Sequence, residues 1–469
     1  MSERTQTPVF AVVGHPNEGK STVLSTLAED DRVGVSPFPG ETTECQAFPV
    51  VIDGREVLRF VDTPGFQYPI ATLEWFQAHA SEMGNLAGLF RAAHLNSPEH
   101  RVECELLSAL AEGAGVLYVV DGSRPVESED RVEMEILRLA GNPRMALINS
   151  KEDSGEYLEE WEQTTRRYFN SIRVFNAHQA GFSERMGLLE SLKSIDQRWE
   201  PALELAVRVF REDWERRTSR AAYELVVLME KCAGYSEKAR WRDGEDPEQR
   251  RRVAQEVFFR GIGKLEESWR ERLKEIYRHR LFNYVPSADS ILSEELTSEK
   301  TLRLLGLSRG QFAGLGAVSG GLAGGFVDAH AGGASLLAGT LIGAGVGGVF
   351  GYFSSVRLTE VKVANVELGW KEIVVRAPRF SNLPYILLDR ALIYFAMATT
   401  WSHGRRDSPV RTELPKEPAR VGHTGAWGKE RRKVCQQFLD AVRRGNGRKL
   451  EEARKRLALM LEEVLREMS

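Results

Sequence analysis

The sequence predicts an α/β domain with a mostly parallel sheet and helices on both faces, followed by a mainly helical domain with a glycine-rich hydrophobic hairpin. Three observations carry that expectation. Over residues 1–197, short β-branched runs alternate with amphipathic helical stretches. From about Glu200, apolar residues recur at three- and four-residue steps over long spans. Between Gly310 and Val356 the only charged residue is Asp328, although charged residues make up 28% of the whole chain.

Composition narrows the function classes. A chain of 469 residues is too long for one hydrophobic core, so two or three domains are expected. The net charge of −4 argues against coating nucleic acid by bulk charge. Four widely spaced cysteines, with no CxxC pair, suit a reducing compartment without a zinc site or disulfide framework. The N-terminal apolar run is too short for a signal peptide and reads as a strand.

That strand, Pro8–Val13, leads into GHPNEGKST (Gly14–Thr22), which is GxxxxGK[ST] in its required setting of strand, glycine loop and helix. Gly14 and Gly19 let backbone amides curl around phosphate oxygens, and the helix beginning near Lys20 adds its positive end. Lys20 is placed for the β- and γ-phosphates and Ser21 for Mg²⁺, so Asn17, Glu18, Gly19, Lys20, Ser21 and Thr22 form the expected nucleotide cradle. A second apolar strand ends in Asp62, a carboxylate of the kind the metal needs, followed by Thr63-Pro64-Gly65, whose glycine can offer its N–H to the γ-phosphate. In between, PFPGETTE (Pro37–Glu44) supplies a threonine that can complete the Mg²⁺ shell and release it after hydrolysis. Loop, strand and DTPG in this order point to a GTPase that works on GTP and GDP.

Further buried strands are expected at Ala114–Pro125, Arg144–Asn149 and Ser171–Phe175, with a helical insert over residues 71–112. The front domain closes near residue 197. A helical domain over 198–311, a hairpin over 312–354, and a small strand pair with C-terminal helices over 355–469 complete the expected plan.

These motifs resemble the Era/TrmE branch of bacterial P-loop GTPases: GHPNEGKS its phosphate loop, PGETTE its switch I, and DTPG its switch II. The runs CELLSALAEGAGVLYVVDGSRP, EMEILRLAGNPRMALIN and VFNAHQAGFSERMGLLESL look more narrowly like one bacterial family, which pairs such a GTPase with a C-terminal domain of unknown function 3482. The resemblance implies that Asn17 helps hold K⁺ beside the phosphates and that Thr42, with Thr43 as rival, is the switch I threonine. It also implies slow basal turnover, because Phe66 stands where related proteins place a water-positioning glutamine, with Gln67 next door. Guanine recognition in this branch rests on [NT]KxD, and here the chain reads INSKED. Either Ser150-Lys151-Glu152-Asp153 serves with serine for asparagine, or the loop bulges and Asn149 serves with Lys151 and Asp153. Asn176-Ala177-His178 takes the place of the second base loop.

In the rear half, Ala202–Cys232 and Arg251–Val285 read as long packed helices. Asp389 and Arg390 argue against the helix beginning at Pro384 crossing a bilayer. The glycine stretch is different. Gly316, Gly320 and Gly324, then Gly339, Gly343, Gly347 and Gly351, recur every fourth residue, which puts them on one helical face where two backbones can approach. Each half is close to a bilayer-crossing length, DAHAGG (Asp328–Gly333) makes the bend, and Arg303, Arg309, Arg357 and Lys362 flank it. A buried hairpin and a linker are the competing readings. The expected function is therefore a GTP-hydrolysing switch on the cytoplasmic face of the inner membrane, acting through a glycine-zipper hairpin, a homo-oligomer or a membrane-protein partner. The alternative is a soluble GTPase of RNA or ribosome assembly, although the sequence shows no KH-like or aromatic-basic RNA signature and nucleic acid is not expected. A third reading is a G domain that binds nucleotide as a brace.

Overall fold

The computed structural model describes residues 7–16, 18–29, 44–82, 84–150, 156–177, 180–242, 244–279, 359–363, 366–376, 383–401, 423–445 and 447–468. The expected hairpin over 312–354 lies outside the described residues, as do Asn17, Thr42, Thr43, Lys151, Asp153 and His178.

The front sheet is six-stranded, in the order β2-β3-β1-β4-β5-β6. Its strands are β1 (Val9–Val13), β2 (Gln46–Ile52), β3 (Arg55–Asp62), β4 (Gly115–Asp121), β5 (Arg144–Asn149) and β6 (Ser171–Phe175). All neighbours pair parallel except β2, which runs antiparallel to β3 at the edge. The two-residue period of a strand divides the core. Phe10 and Val12 face one side with α1 (Lys20–Ala28) and α7 (Phe182–Leu192). Ala11 and Val13 face the other, with α2 (Pro69–Ala78), α3 (Leu86–His94), α4 (Arg101–Ala111), α5 (Ser128–Ala140) and α6 (Leu158–Thr165). The insert between DTPG and β4 is thus three helices, α2 to α4.

Helix α8 (Glu200–Gly234) serves both halves of the molecule. Its first turns place Leu203, Ala206, Val207 and Phe210 in the front core, beneath Trp199. Trp199 lies edge-on to Phe10 at 5.1 Å, and a Cβ on Gly115 would come within 2.5 Å of its ring, so this contact requires glycine there. From Ala221 to Cys232 the same helix enters a second core with α9 (Pro247–Ile276), α10 (Leu383–Thr400), α11 (Lys429–Arg444) and α12 (Gly447–Met468). A three-stranded antiparallel sheet, β7 (Ser236–Arg242), β9 (Val366–Arg376) and β8 (Thr359–Val363), packs beside it. The β8–β9 hairpin is the strand pair expected over 355–469; β7, with Trp241 as its one buried side chain, was not expected.

Among the described residues no helix is long and apolar enough to cross a membrane. Helix α10 is the apolar centre of the rear bundle, and its two charges are satisfied internally. Asp389 accepts from the Thr424 N–H (2.7 Å) and hydroxyl (2.6 Å). Arg390 Nε reaches both carboxylate oxygens of Glu266 on α9 (3.0 and 3.1 Å), and Arg270 shares that carboxylate.

Because Glu266 and Arg390 are both buried, removing one partner leaves charge in a poor solvent. Arg390→Met should destabilise the protein by about 3 kcal/mol in denaturant titration. The double change with Glu266→Met should recover part of that loss, since it also takes the shared carboxylate from Arg270, and no recovery would show that the pair does not act as a unit.

Candidate functional site

The site residues sit at the carboxyl ends of the parallel strands, where loops leave the sheet and backbone groups are free for a ligand. Gly14 follows β1 with φ +150°, and a Cβ there would come within 2.1 Å of the Val119 carbonyl oxygen. Gly19 enters α1 in the left-handed region, at φ +93°, and a Cβ there would meet Asn149 Nδ2 at 2.4 Å. Both positions therefore exclude side chains for conformational and steric reasons together. The loop lays the amide end of α1 open toward the strand ends.

Lys20 is buried, and its Nζ donates to the Gly14 and His15 carbonyls at 2.8 and 3.0 Å. Burial lowers its pKa, opposed chiefly by the negative charge of Asp62. Asp62 lies at the end of β3, paired in register with Val12. One of its oxygens, Oδ2, accepts from Ser21 Oγ at 3.4 Å, while Oδ1 is buried without a partner. Burial pushes its carboxyl up to about 6, against the pull of Lys20. A buried carboxylate with an orphaned oxygen beside a hydroxyl is a donor set for a hard divalent cation, so Ser21 and Asp62 fit Mg²⁺. Gly65 closes the DTPG turn against the phosphate loop; a Cβ there would stand 2.9 Å from Pro16 Cδ. Thr22 is buried, and Thr63 hydroxyl donates to the Val12 carbonyl at 2.8 Å, fixing the turn to β1.

The side chain of Glu18 turns away from the phosphate side. Its carboxylate accepts from the Asp121 N–H and from Arg124 Nε (2.7 Å), and Arg124 in turn grips Asp130 through two 2.7 Å bonds. That guanidinium stands 5.3 Å over the Trp161 ring. Burial raises the Glu18 carboxyl despite Arg124, whose own pKa is held above its ordinary value, first by its bonds to Asp130. What Glu18 offers a nucleotide is its backbone. His15 Nδ1 meets the buried Glu133 at 3.4 Å, and that bond raises the imidazole pKa; Tyr118 hydroxyl donates to the same carboxylate at 3.0 Å.

Asn149 ends β5 with its side chain fully buried. Its Nδ2 donates to the Glu18 carbonyl and its Oδ1 accepts from the Ala177 N–H, each at 3.2 Å. Ala177 also accepts from Thr26 hydroxyl on α1. The phosphate loop, the end of β5 and the loop after β6 are thereby joined through one amide. Asn149 thus takes part in joining the loops, while the rest of INSKED after Ser150 lies outside the described residues. Phe66 is buried in the core of that face, whereas Gln67 is exposed.

Several charged residues that shape the site carry no motif. Glu29 closes α1 in a left-handed conformation (φ 50°). It receives Arg185 from α7 at 2.6 Å and Arg217 from α8 at 2.7 Å. Glu103 on α4 and the Glu18–Arg124–Asp130 chain are equally invisible to pattern reading. The partners lie far apart in sequence, 188 positions for Glu29 and Arg217, and only the fold brings them together.

The sequence model of the family described as "50S ribosome-binding GTPase" matches residues 9–150, and that of "Domain of unknown function (DUF3482)" matches residues 162–463. Among curated relatives, GTPase Der of Aromatoleum aromaticum is 25% identical over 199 residues, covering 42% of this chain and 40% of its own. GTPase Era of Deinococcus radiodurans is 30% identical over 156 residues, covering 33% of this chain and 42% of its own. The tRNA modification GTPase MnmE of Petrotoga mobilis is 29% identical over 148 residues, covering 32% of this chain and 27% of its own. The chain therefore spans well under half the length of these relatives, and the shared part is the front domain. A glycine cradle with its buried lysine, a carboxylate and hydroxyl set for a metal, and matches over both halves lead to one assignment. The chain belongs to the DUF3482 family, with an Era/TrmE-like P-loop GTPase domain at its front.

Proposed function

We propose that the chain is a guanine-nucleotide switch that hydrolyses GTP to GDP. The observation that carries this reading is the buried Lys20 beside Asp62 and Ser21, at the mouth of a glycine loop that no side chain can enter. Lys20 exchanges its two carbonyl acceptors for phosphate oxygens and orients the triphosphate, while the loop amides and the end of α1 hold the negative charge. Mg²⁺, held by Ser21 and Asp62, offsets charge on the β- and γ-phosphates when bound. Thr42 joins them in the triphosphate state, Asn17 supports a K⁺ ion, and the Gly65 N–H faces the γ-phosphate. Asn149 keeps the base loop in register with the phosphate loop, and Lys151 and Asp153 read guanine. Since Phe66 is committed to the core, water is positioned by another group, and basal turnover is slow.

For the rear half we propose membrane association at the cytoplasmic face of the inner membrane. The support is the sequence of residues 312–354, with glycine at every fourth position and one charge, Asp328. Nucleotide state would then be passed along α8 to that hairpin, to a second copy of the chain or to a membrane protein. A second reading has its own support: the front domain matches a family described as ribosome-binding, and one relative is named for tRNA modification. On that reading the partner is RNA.

Lys20→Ala should abolish binding of fluorescent GDP, by at least about 100-fold in affinity, with an unchanged melting curve. Asn149→Ala leaves a buried amide and a buried carbonyl without partners and should cost about 1–3 kcal/mol, lowering stability and nucleotide affinity together. Phosphate release should be faster in KCl than in NaCl; no turnover in either would support the brace. In membrane fractionation with an alkaline carbonate wash, the full chain should stay with the membrane and a chain lacking 312–354 should not. If both are soluble and the full chain retains RNA in a salt-sensitive manner, the RNA reading replaces the membrane one.

A further inference from the structure

Helix α4 carries a carboxylate that the phosphate and metal sets leave unused. Glu103 is fully buried, and its Oε1 accepts the backbone N–H of Gln67 at 2.8 Å and of Tyr68 at 2.7 Å. These are the first amides after Phe66, immediately ahead of α2, where helical N–H groups lack intrahelical partners and partial positive charge collects. Its second oxygen, Oε2, is buried without a partner. The same stretch of α4 also holds the exit of switch I. Glu105 Oε1 accepts the Cys45 N–H at 2.9 Å, Cys45 Sγ lies 3.1 Å from the Glu105 carbonyl, and Arg101 reaches Glu44 at 3.3 Å. The backbone that leaves switch I and the backbone that follows the DTPG turn are thus both fastened to two turns of one helix.

We infer that Glu103 is a positioning residue for GTP hydrolysis, which fixes the Gly65–Phe66–Gln67 backbone beside the γ-phosphate; the inference rests on the GTPase reading above. Phe66 anchors that turn through its side chain, but a ring in a core leaves the neighbouring amides free to rotate toward solvent. A charged acceptor shared by two consecutive amides removes that freedom. Ground-state binding of nucleotide depends on the phosphate loop, which Glu103 does not touch. Alignment in the transition state depends on the turn, so loss of Glu103 falls on turnover rather than on affinity for GDP.

The test uses the full chain with Glu103→Gln, Glu103→Ala and Glu103→Asp. Turnover (kcat and KM), affinity for GDP, affinity for a non-hydrolysable GTP analogue, and melting temperature would be measured on each. The glutamine keeps the acceptor oxygen and should hold kcat within about threefold of wild type. Alanine should lower kcat by about tenfold or more, with affinity for GDP within about twofold. Asp, one methylene too short to reach both amides, should behave as alanine does and stands in for it if the alanine variant fails to fold. Wild-type kcat in both the alanine and aspartate variants overturns the inference. A parallel loss of kcat, GDP affinity and melting temperature, with glutamine no better than alanine, also overturns it, since that pattern is structural. If the wild type binds GDP without turning over GTP, the hydrolysis reading fails on its own. The affinity ratio of the GTP analogue to GDP then decides on Glu103: a lower ratio in the alanine variant supports it, and an unchanged ratio refutes it.

Discussion

The carboxylate of Glu29 is the point on which the two halves of the molecule meet. It closes α1 in a conformation that costs a non-glycine residue energy, and it does so with its side chain almost wholly out of water. Such a group is tolerable only if positive charge surrounds it. Arg185 supplies that charge from the front domain, and Arg217 and Arg278 from the rear, at 2.6, 2.7 and 3.5 Å. Arg217 is held in turn by Asp213, one turn earlier on α8. The cluster sits at the end of α1, so the helix that opens with Lys20 and Ser21 closes on a residue that the helical domain grips.

Around that junction the structure separates rigid from responsive parts. The Asn149 amide joins phosphate loop to base loop, and Glu18, Arg124 and Asp130 brace the same loop from behind through Trp161. These parts are buried and fully engaged. The segments fastened to α4, at Cys45 and at Gln67, are held chiefly by α4 carboxylates that accept their backbone N–H groups, with the exposed Arg101–Glu44 pair beside them. A switch needs both kinds of attachment: a cradle that does not yield to nucleotide and edges that do.

Much of this was legible in the sequence, for a reason that particular residues make plain. Gly14, Gly19 and Lys20 lie in one strand–loop–helix segment and Asp62 and Gly65 in one strand–turn segment, so within each segment the spacing along the chain is already the spacing in space. Strands β1, β4 and β5 are buried on both faces and read as continuous apolar runs. Strands β2 and β7 did not announce themselves because they are edge strands with few buried positions, and Gln46, Ala47, Ser236 and Lys238 look like loop. Of the site, the carboxylates Glu29, Glu103 and Glu133 were hidden. On a helix each resembles any solvated glutamate, and only the packing of a distant segment over it turns a surface charge into a buried anchor. The tie that Asn149 makes between the phosphate loop and the loop after β6 was hidden in the same way, since its partners Glu18 and Ala177 lie far from it in sequence.

Helix α8 runs for 35 residues without a break, about 50 Å at 1.5 Å per residue. Its base is wedged in the front core under Trp199 and its far end is built into the rear bundle beside α12. A long rod that pivots at its base turns a small tilt into a larger displacement at its far end. Turning the base by about 5° about its seat would carry the far end sideways by roughly 4 Å, close to the rise of one helical turn. Arg217 lies about halfway along this rod, roughly 25 Å from its base, so a sideways shift at its ion pairs would reach the rear bundle about doubled.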